Sequence, residues 1–316
     1  MSATLHTLEA TTDTKASLAL ETKELAKSYG KITALAGLTM TVPRGEVFGF
    51  LGPNGAGKTT AVKLLLGLTH ATAGQAQVLG RPVGDRATRQ RVGYLPELFR
   101  YQAWLSAREV LTLHCELSEM PRERWRAEID GALSTVGLAQ RADDRVGTYS
   151  KGMQQRLGVG VALLGQPELI FLDEPTSALD PVGRHDIREI IRGLKARGAT
   201  VFLNSHLLSE VELVCDRVAV VNHGRVIALG GLHEILGDTR SVRLHLGQLG
   251  VAALAALQRF GEVEAQDDWY VVRGIADDTI PDLVDEIVRV GGRVHAVEPQ
   301  QTTLEDRFLQ LLGGAN

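Results

Sequence analysis

The most constraining feature of this sequence is a glycine-rich loop between an apolar run over residues 46–51 and a helical pattern over residues 59–66. The loop reads Gly52-Pro53-Asn54-Gly55-Ala56-Gly57-Lys58-Thr59-Thr60. Its glycines allow backbone N–H groups to close around phosphate oxygens, and the N-terminus of the following helix favours negative charge. Lys58 supplies a positive charge for the β- and γ-phosphates, and the Thr59 hydroxyl is suited to ligating Mg²⁺. The pattern predicts a phosphate site at a strand–helix junction of an α/β sheet.

Two carboxylates follow another apolar run, over residues 169–172. Asp173 and Glu174 come directly after this run and precede Pro175. Such a run is typical of a buried parallel strand, and ligands bind at the carboxyl ends of such strands. We therefore expect Asp173 to orient Mg²⁺ or its waters and Glu174 to polarise the attacking water. The alternative is a solvated pair of acids at a strand end.

Short apolar runs alternate with helical patterns over residues 20–230, which is typical of an α/β domain with a largely parallel sheet. The strands stop between about residues 98 and 146. In this stretch Ser106 and Glu109 form a capping box, and Pro121 precedes a second helix that ends near Gly137. This predicts a helical subdomain carried on the α/β body.

The last part of the chain has a different pattern. Strands are predicted over residues 242–246, 262–265, 269–273 and 293–297, with helices over residues 251–260 and 280–290. An Asp-Asp turn joins the second and third strands. The order β-α-β-β-α-β is that of a ferredoxin-like unit. A closing helix begins at Thr303, with Leu304, Phe308, Leu311 and Leu312 on one face.

Composition narrows the function classes. The 34 basic and 38 acidic residues give a net charge of −4, which argues against nucleic acid as the main partner. Cys115 and Cys215 match no metal-ligand spacing and are interpreted as reduced thiols of a cytosolic protein. No apolar run approaches the ~20 residues of a membrane-spanning helix. Residues 1–18 lack the features of a secretory signal and are interpreted as a loose tail.

The stretch upstream of the two carboxylates points to a family. It reads Tyr149-Ser150-Lys151-Gly152-Met153-Gln154-Gln155-Arg156 and resembles the L-S-G-G-Q signature of ATP-binding cassette (ABC) ATPases. It departs from the usual form at Tyr149, Lys151 and Met153. Because Ser150, Gly152 and Gln154 are retained, we expect the motif to function.

Three further features occur in the same order along this chain as in that family. The stretch Ser177-Ala178-Leu179-Asp180 resembles its D-loop, His206 resembles the switch histidine that contacts the γ-phosphate, and Tyr29 resembles the aromatic residue that stacks on adenine. The resemblance covers residues 20–230. It implies the ATP-binding and ATP-hydrolysing motor subunit of a membrane transporter. It also implies transmembrane permease subunits as partners and a location on the cytoplasmic face of the inner or plasma membrane.

The resemblance implies an active site shared between two cassettes, in which the phosphate loop of one faces the signature of the other. One chain carries one copy of each half, so a homodimer is expected. The expected fold is an α/β P-loop ABC ATPase core with a helical subdomain, plus a small α+β, ferredoxin-like C-terminal domain. The expected domains are a tail over residues 1–18, the ATPase domain over 19–237 with its helical part at about 98–160, and an accessory or dimerisation domain over 240–316.

One departure from the family pattern bears on the direction of transport. Glu97 follows Leu95-Pro96, where the family usually has a glutamine that senses Mg²⁺ and the membrane partner. This variant and the closing stretch over residues 303–309 resemble bacterial exporter ATPases for drugs, lipids or polysaccharides. A carboxylate can still ligate Mg²⁺, whereas a solvated loop acid is the alternative.

The residues implied for each role are therefore as follows. Glu174, His206 and Lys58 are catalytic, and Thr59, Asp173 and Glu97 bind the metal, with ATP and Mg²⁺ as cofactors. The ATP-binding set is Tyr29, Gly52, Pro53, Asn54, Gly55, Ala56, Gly57, Lys58, Thr59, Thr60, Glu97, Ser150, Gly152, Gln154 and Asp180. Alternatives are an importer ATPase, a soluble ABC ATPase acting on ribosomes or DNA, and a catalytically silent nucleotide-binding scaffold.

Overall fold

The structure, a computed structural model, describes residues 18–177, 179–237, 240–247, 251–266, 268–301 and 303–313. Residues 1–17 of the expected tail, Ala178 of the D-loop motif and Asp267 of the Asp-Asp turn lie outside these ranges. The last residue of that expected tail, Leu18, already belongs to the first strand. The chain divides into two compact units, one up to Leu229 and one from Gly230. This division falls before residue 237, where the sequence predicted the end of the first domain.

Up to Gly231 the described residues form ten strands and seven α-helices, and the last of these strands crosses the boundary between the two units. The strands are β1 (Leu18–Tyr29), β2 (Ile32–Pro43), β3 (Val47–Leu51), β4 (Ala73–Val78), β5 (Arg81–Pro82), β6 (Val92–Leu95), β7 (Leu169–Asp173), β8 (Thr200–Asn204), β9 (Arg217–Asn222) and β10 (Arg225–Gly231). The helices are α1 (Lys58–Leu65), α2 (Arg86–Arg89), α3 (Ala107–Leu117), α4 (Arg122–Thr135), α5 (Lys151–Ala162), α6 (Pro181–Ala196) and α7 (Leu208–Val214). Within the described parts of the chain, no helix is both long and apolar enough to cross a bilayer.

The central sheet has the strand order β10-β9-β3-β8-β7-β6, and its strands from β9 to β6 pair in parallel. An aromatic cluster holds the middle of this sheet together. The rings of Phe48, Phe50 and Phe171 lie 5.7, 5.2 and 5.1 Å from the ring of Phe202, and all four are buried. This packing fixes β3, β7 and β8 side by side, so the residues that follow these strands lie at one edge.

The prediction of a largely parallel domain is incomplete, because the first unit also contains a four-stranded antiparallel sheet in the order β2-β1-β4-β5. The pairing of β1 with β2 contains several register shifts, and Glu24 has a φ of 48° beside one of them. Bulges shift the alternation by which a half-buried strand is recognised. The sequence pattern therefore does not reveal this sheet.

The helical subdomain begins as the sequence predicts. The Ser106 backbone N–H donates to Glu109 Oε2 at 2.7 Å, and the Glu109 N–H donates to Ser106 Oγ at 3.2 Å, which confirms the capping box of α3. Helix α4 follows Pro121 directly. Buried Glu128 on α4 accepts from the Gly165 N–H at 3.1 Å, which ties this helix to the loop after α5.

The second unit contains α8 (Leu232–Leu236), β11 (Arg240–Leu246), α9 (Val251–Leu257), β12 (Glu262–Gln266), β13 (Trp269–Arg273), α10 (Ile280–Arg289), β14 (Val294–Gln301) and α11 (Leu304–Gly313). Its sheet has the antiparallel order β12-β13-β11-β14. This is the ferredoxin-like arrangement, with a core that includes Val242, Leu244, Leu283 and Ile287.

The closing helix α11 packs within the second unit. Thr303 and Asp306 cap its start, and Leu304 is fully buried. Arg307 Nε donates to the Ile235 carbonyl of α8 at 3.0 Å. The apolar strip of α11 is therefore only partly buried by its own chain, and Leu309 beside it is 62% exposed.

Replacing Phe202 with alanine tests the aromatic cluster. Truncation of this buried ring should lower the free energy of unfolding of the first unit by about 3–5 kcal/mol. Urea titrations followed by tryptophan fluorescence measure this unit alone in a Trp269→Phe background, because Trp104 and Trp125 both lie in it. Leu117→Ala, at a 70% exposed side chain, is the control and should change stability by less than about 0.5 kcal/mol. Equal losses in the two variants would contradict the role of the cluster.

Candidate functional site

The phosphate loop lies between β3 and α1, and two of its glycines are required by close backbone contacts. A Cβ on Gly52 would lie 2.3 Å from the Val221 carbonyl oxygen, and one on Gly57 would lie 2.3 Å from that of Ala34. Gly57 also has a φ of 98°, which L side chains rarely adopt. These two contacts place the phosphate loop against β2, which contains Ala34, and against β9, which contains Val221.

Lys58 begins α1 and is buried inside the loop. Its Nζ donates to the Gly52 carbonyl at 2.6 Å and to the Pro53 carbonyl at 3.3 Å. Burial lowers the pKa of this ammonium, and the carboxylates of Glu174, then Asp173 and Glu97, oppose that effect. A partly desolvated cation in a loop of this shape suits a phosphate ligand.

Asp173 ends β7 and is almost completely buried. It pairs in register with Asn204, the last residue of β8, whose Nδ2 donates to Asp173 Oδ1 at 2.5 Å. Burial is the largest influence on this carboxyl and raises its pKa, while the Asn204 amide acts in the opposite direction. Sequence reasoning missed Asn204. The available signal was a polar residue directly after an apolar strand, as for Asp173.

Glu174 follows β7 in a left-handed backbone conformation, with a φ of 52°. This conformation is uncommon outside glycine and costs free energy, so it persists only where the surroundings enforce it. The Glu174 N–H donates to the Asn204 carbonyl at 2.8 Å, and the buried Glu174 Oε2 lies 2.8 Å from His206 Nδ1. The strain at Glu174 and its bond to half-exposed His206 point to a functional pair.

Glu97 lies two residues beyond the end of β6 and is exposed. The charge of Glu97 affects ionisable groups that the charge of Asp173 also affects. The pKa of Tyr94 is raised to about 12, first by burial and then by the charges of Asp173 and Glu97. Glu97 also contributes to the raised pKa of Asp173. The structure therefore places Glu97 in the electrostatic surroundings of Lys58 and Asp173.

The signature residues form a separate group. Exposed Ser150 caps α5 by accepting from the Met153 N–H at 3.2 Å, and Gln154 Nε2 donates to the Tyr149 carbonyl at 3.2 Å. A Cβ on Gly152 would lie 3.9 Å from Leu179, which belongs to the D-loop motif. In the described part of the chain, Ser150 bonds within the start of α5 and Gly152 faces Leu179, so this group is separate from the phosphate loop.

The remaining predicted residues lie around these two groups. Asp180 caps α6 by accepting from the Gly183 N–H at 2.8 Å. Tyr29 lies at the end of β1 and is 48% exposed. Within the loop, Asn54, Gly55 and Thr59 are exposed, Ala56 is buried, and Pro53 and Thr60 are intermediate.

The family model described as ABC transporter matches residues 35–177. An ABC transporter ATP-binding protein of Synechocystis sp. is 40% identical over 302 residues, which cover 93% of this chain and 84% of the relative. The chain belongs to the ABC transporter ATP-binding family. The structure of an ATP-binding subunit of an ABC transporter, 32% identical with a TM-score of 0.62, covers 69% of this chain and 91% of that one.

Two other relatives have names that include a biological role. Nod factor export ATP-binding protein I of Rhizobium sp. (strain N33) is 40% identical over 70% of this chain and 73% of its own length. The linearmycin resistance ATP-binding protein of Bacillus subtilis is 31% identical over 93% of this chain and 98% of its own length. A solved ABC cassette in its ADP conformation is 25% identical, with a TM-score of 0.63, and covers 69% of this chain and 92% of that one.

Membership of the ABC family establishes the general chemistry. ABC ATPases bind and hydrolyse ATP, and they are subunits of transporter complexes that work with membrane permeases. The predicted fold class, a P-loop ABC ATPase core, is confirmed. Among the described residues, no three side chains of His, Cys, Asp or Glu form a metal-binding group.

The raised pKa of Asp173 leads to a prediction about stability. A buried acid whose pKa is raised binds protons more readily in the folded state, so stability falls as the pH rises from the ordinary Asp value through the raised one. Asp173→Asn keeps the shape and removes the charge. We expect it to unfold at a higher temperature than the wild type at pH 7.5 without nucleotide, with a difference that shrinks as the pH falls through the raised pKa of Asp173. Thermal unfolding followed by circular dichroism measures the unfolding temperatures of the variant and the wild type at each pH.

Glu168→Gln is the matched control, and it is expected to change stability in the opposite direction. Hydrogen bonds from Arg91, at 2.5 and 2.7 Å, are the largest influence on Glu168 and lower the pKa of its carboxyl. This acid therefore stabilises the fold above its unfolded pKa, and that stability is lost as the pH falls through the folded pKa. Glu168→Gln should lower the unfolding temperature at pH 7.5. A loss of stability in Asp173→Asn as well would contradict the account of Asp173.

Proposed function

We propose that this chain is the ATP-hydrolysing motor of an ABC exporter and works as a homodimer with separate transmembrane permease subunits. One observation carries the catalytic part of this proposal. Glu174 is held in a strained backbone conformation, bonded to His206, among groups that include buried Lys58 and Asp173. A strained, oriented carboxylate beside a phosphate loop suits activation of a water molecule.

Each group of the site has a distinct role in this proposal. Glu174 acts as the general base towards the attacking water. His206 Nδ1 holds the Glu174 carboxylate, which leaves the other ring nitrogen for the γ-phosphate. Lys58 and the backbone N–H groups of the loop bind the phosphates, as electrostatic stabilisation of phosphoryl transfer requires. Tyr29 offers its exposed ring to the adenine.

Mg²⁺ would be held by Thr59, Asp173 and Glu97. Two observations fit a cation here. Burial raises the pKa of the Asp173 carboxyl, so a positive charge beside it would relieve the cost of its ionisation. Among the described residues, Asn204 Oδ1 is a buried oxygen without a hydrogen-bond partner, which suits a water bound to the ion. When bound, the ion neutralises phosphate charge during the transfer.

A second copy of the chain completes the site in this proposal. Ser150, at the start of α5, and Gly152 lie exposed or half-exposed in a group separate from the phosphate loop. An exposed serine hydroxyl and free N–H groups at a helix N-terminus suit a γ-phosphate. We infer that Ser150, Gly152 and Gln154 of one chain act on the nucleotide bound by the other, with Asp180 near the junction.

Three kinds of observation support export as the direction of transport: the residue at position 97, the closing helix and the names of relatives. Glu97 replaces the usual glutamine, and the closing helix resembles that of exporter ATPases. One relative is named for Nod factor export, and another, which matches almost the whole chain, is named for linearmycin resistance. We infer that the chain works at the cytoplasmic face of the membrane through its permease. Purification of the native complex from membranes would test this, and the absence of a permease would contradict it.

The second unit is proposed to strengthen the dimer. Its closing helix α11 leaves Leu309 exposed and Phe308 and Leu312 only half-buried. Exposed apolar side chains on one helix are suited to packing against another protein surface.

Glu174→Gln tests the general base. Loss of this group should slow ATP hydrolysis by about 10²–10⁴-fold, because the amide cannot accept the proton of the attacking water. Nucleotide binding should persist, and MgATP should trap a dimer that light scattering detects. The control Glu168→Gln, at the residue that precedes β7 and thus at the opposite end of this strand from Glu174, should hydrolyse ATP at close to the native rate. A native rate in Glu174→Gln would exclude its role as base.

Glu97→Gln tests the carboxylate near the metal. Removal of its charge should leave ATP binding intact and raise the Mg²⁺ concentration for half-maximal activity about two- to tenfold, a change of roughly 0.4–1.4 kcal/mol. ATPase assays over a Mg²⁺ titration measure this shift. The control Glu123→Gln, at an exposed position of α4, should leave it unchanged. If Glu97→Gln also leaves it unchanged, Glu97 is a solvated loop acid.

A further inference from the structure

Tyr29 lies at the tip of the hairpin formed by β1 and β2. It pairs with Ile32, and β2 then runs past the phosphate loop, where the Ala34 carbonyl closely approaches Gly57. This path brings the hairpin tip that carries Tyr29 to the neighbourhood of the loop. At 48% exposure, the ring keeps a large area free for a ligand.

Lys27 covers one side of this ring. Its Nζ lies 4.8 Å from the centroid of the Tyr29 ring, within the range of a cation–π contact. The same Nζ donates to the His70 carbonyl at 2.8 Å. Two partners therefore hold the ammonium in place: the Tyr29 ring and the backbone carbonyl of His70.

The strand that carries Lys27 is itself tied to the segment around His70. The Ser28 N–H donates to Thr72 Oγ1 at 3.0 Å, and the Thr72 N–H donates to the Ala26 carbonyl at 2.8 Å. This segment follows α1, whose first residue is Lys58 of the phosphate loop. The support of the Tyr29 ring is thus connected through α1 to the phosphate site.

An exposed tyrosine ring loses rotational freedom when a ligand stacks on it, which weakens binding. A support that already fixes the ring reduces that loss. The ammonium also leaves only the opposite face of the ring for a planar partner.

We propose that Lys27 is a positioning residue for the nucleobase: bridging the Tyr29 ring and the His70 carbonyl, it fixes the ring so that its other face stacks on adenine. This inference rests on the proposed role of Tyr29 in ATP binding.

The test compares two ligands that share phosphates but differ in the base. The affinities of Lys27→Met for MgATP and for inorganic tripolyphosphate are measured by competition binding, alongside ATPase kinetics. MgATP should bind about two- to fivefold more weakly, the range that an exposed cation–π contact supports. KM should rise to the same extent at similar kcat, and tripolyphosphate should bind as it does to the wild type. Lys27→Arg keeps a cation over the ring and should restore MgATP affinity.

The matched control is Lys23→Met, on the same strand, whose ammonium lies 2.9 Å from Glu21 instead of an aromatic ring. It should leave both affinities unchanged. If Lys27→Met weakens tripolyphosphate as much as MgATP, or changes neither, the proposal is wrong.

Tyr29→Ala separates this inference from the proposed function. If Tyr29→Ala weakens MgATP and Lys27→Met does not, Tyr29 binds the base without help from Lys27. If Tyr29→Ala has no effect, the proposed stacking itself fails, and the inference fails with it. If the inference is correct, the Lys27→Met substitution should have no further effect on MgATP affinity in the Tyr29→Ala background.

Discussion

The parallel pairing of β3, β7 and β8 is the constraint on which the rest of the site depends. Four phenylalanines pack against one another across these strands, with ring centroids between 5.1 and 5.7 Å from that of Phe202. Their register places Asp173 directly beside Asn204 and brings the Asn204 carbonyl to the Glu174 N–H. One apolar cluster thus sets the position of a buried carboxylate, its amide partner and the strained residue that follows.

The ionised groups at this edge of the central sheet destabilise the folded state when no ligand is bound. Burial raises the pKa of Asp173 and lowers that of Lys58, so in both groups the low-dielectric surroundings disfavour the ionised form. The left-handed backbone of Glu174 adds strain. A bound nucleotide and cation would supply the missing opposite charges. The site therefore exchanges stability in the empty state for binding and catalysis, as active sites commonly do.

The predicted site residues lie in two separate groups. Lys58, Asp173, Glu174 and His206 belong to one group, and Ser150, Gly152 and Gln154 belong to another that contacts Leu179. The resemblance to ABC ATPases predicts this separation, because it assigns the two halves to different chains. In the second unit, α11 is tied to α8 through Arg307, so part of its apolar strip has a partner in the same chain.

The sequence alone determined the elements whose chemistry is local. The phosphate loop is recognisable from the spacing of its glycines, Lys58 and Thr59 within a few consecutive residues, and the capping box of α3 and the order of strands and helices in the second unit depend on neighbouring residues. The sequence did not reveal the antiparallel sheet, whose bulges break the alternation, or Asn204, whose role depends on register with a distant strand. Likewise, the Lys27 ammonium beside Tyr29 is held by the His70 carbonyl, 43 residues further along the chain. Only the tertiary structure decides such pairs, because register and long-range packing determine them and no local pattern encodes them.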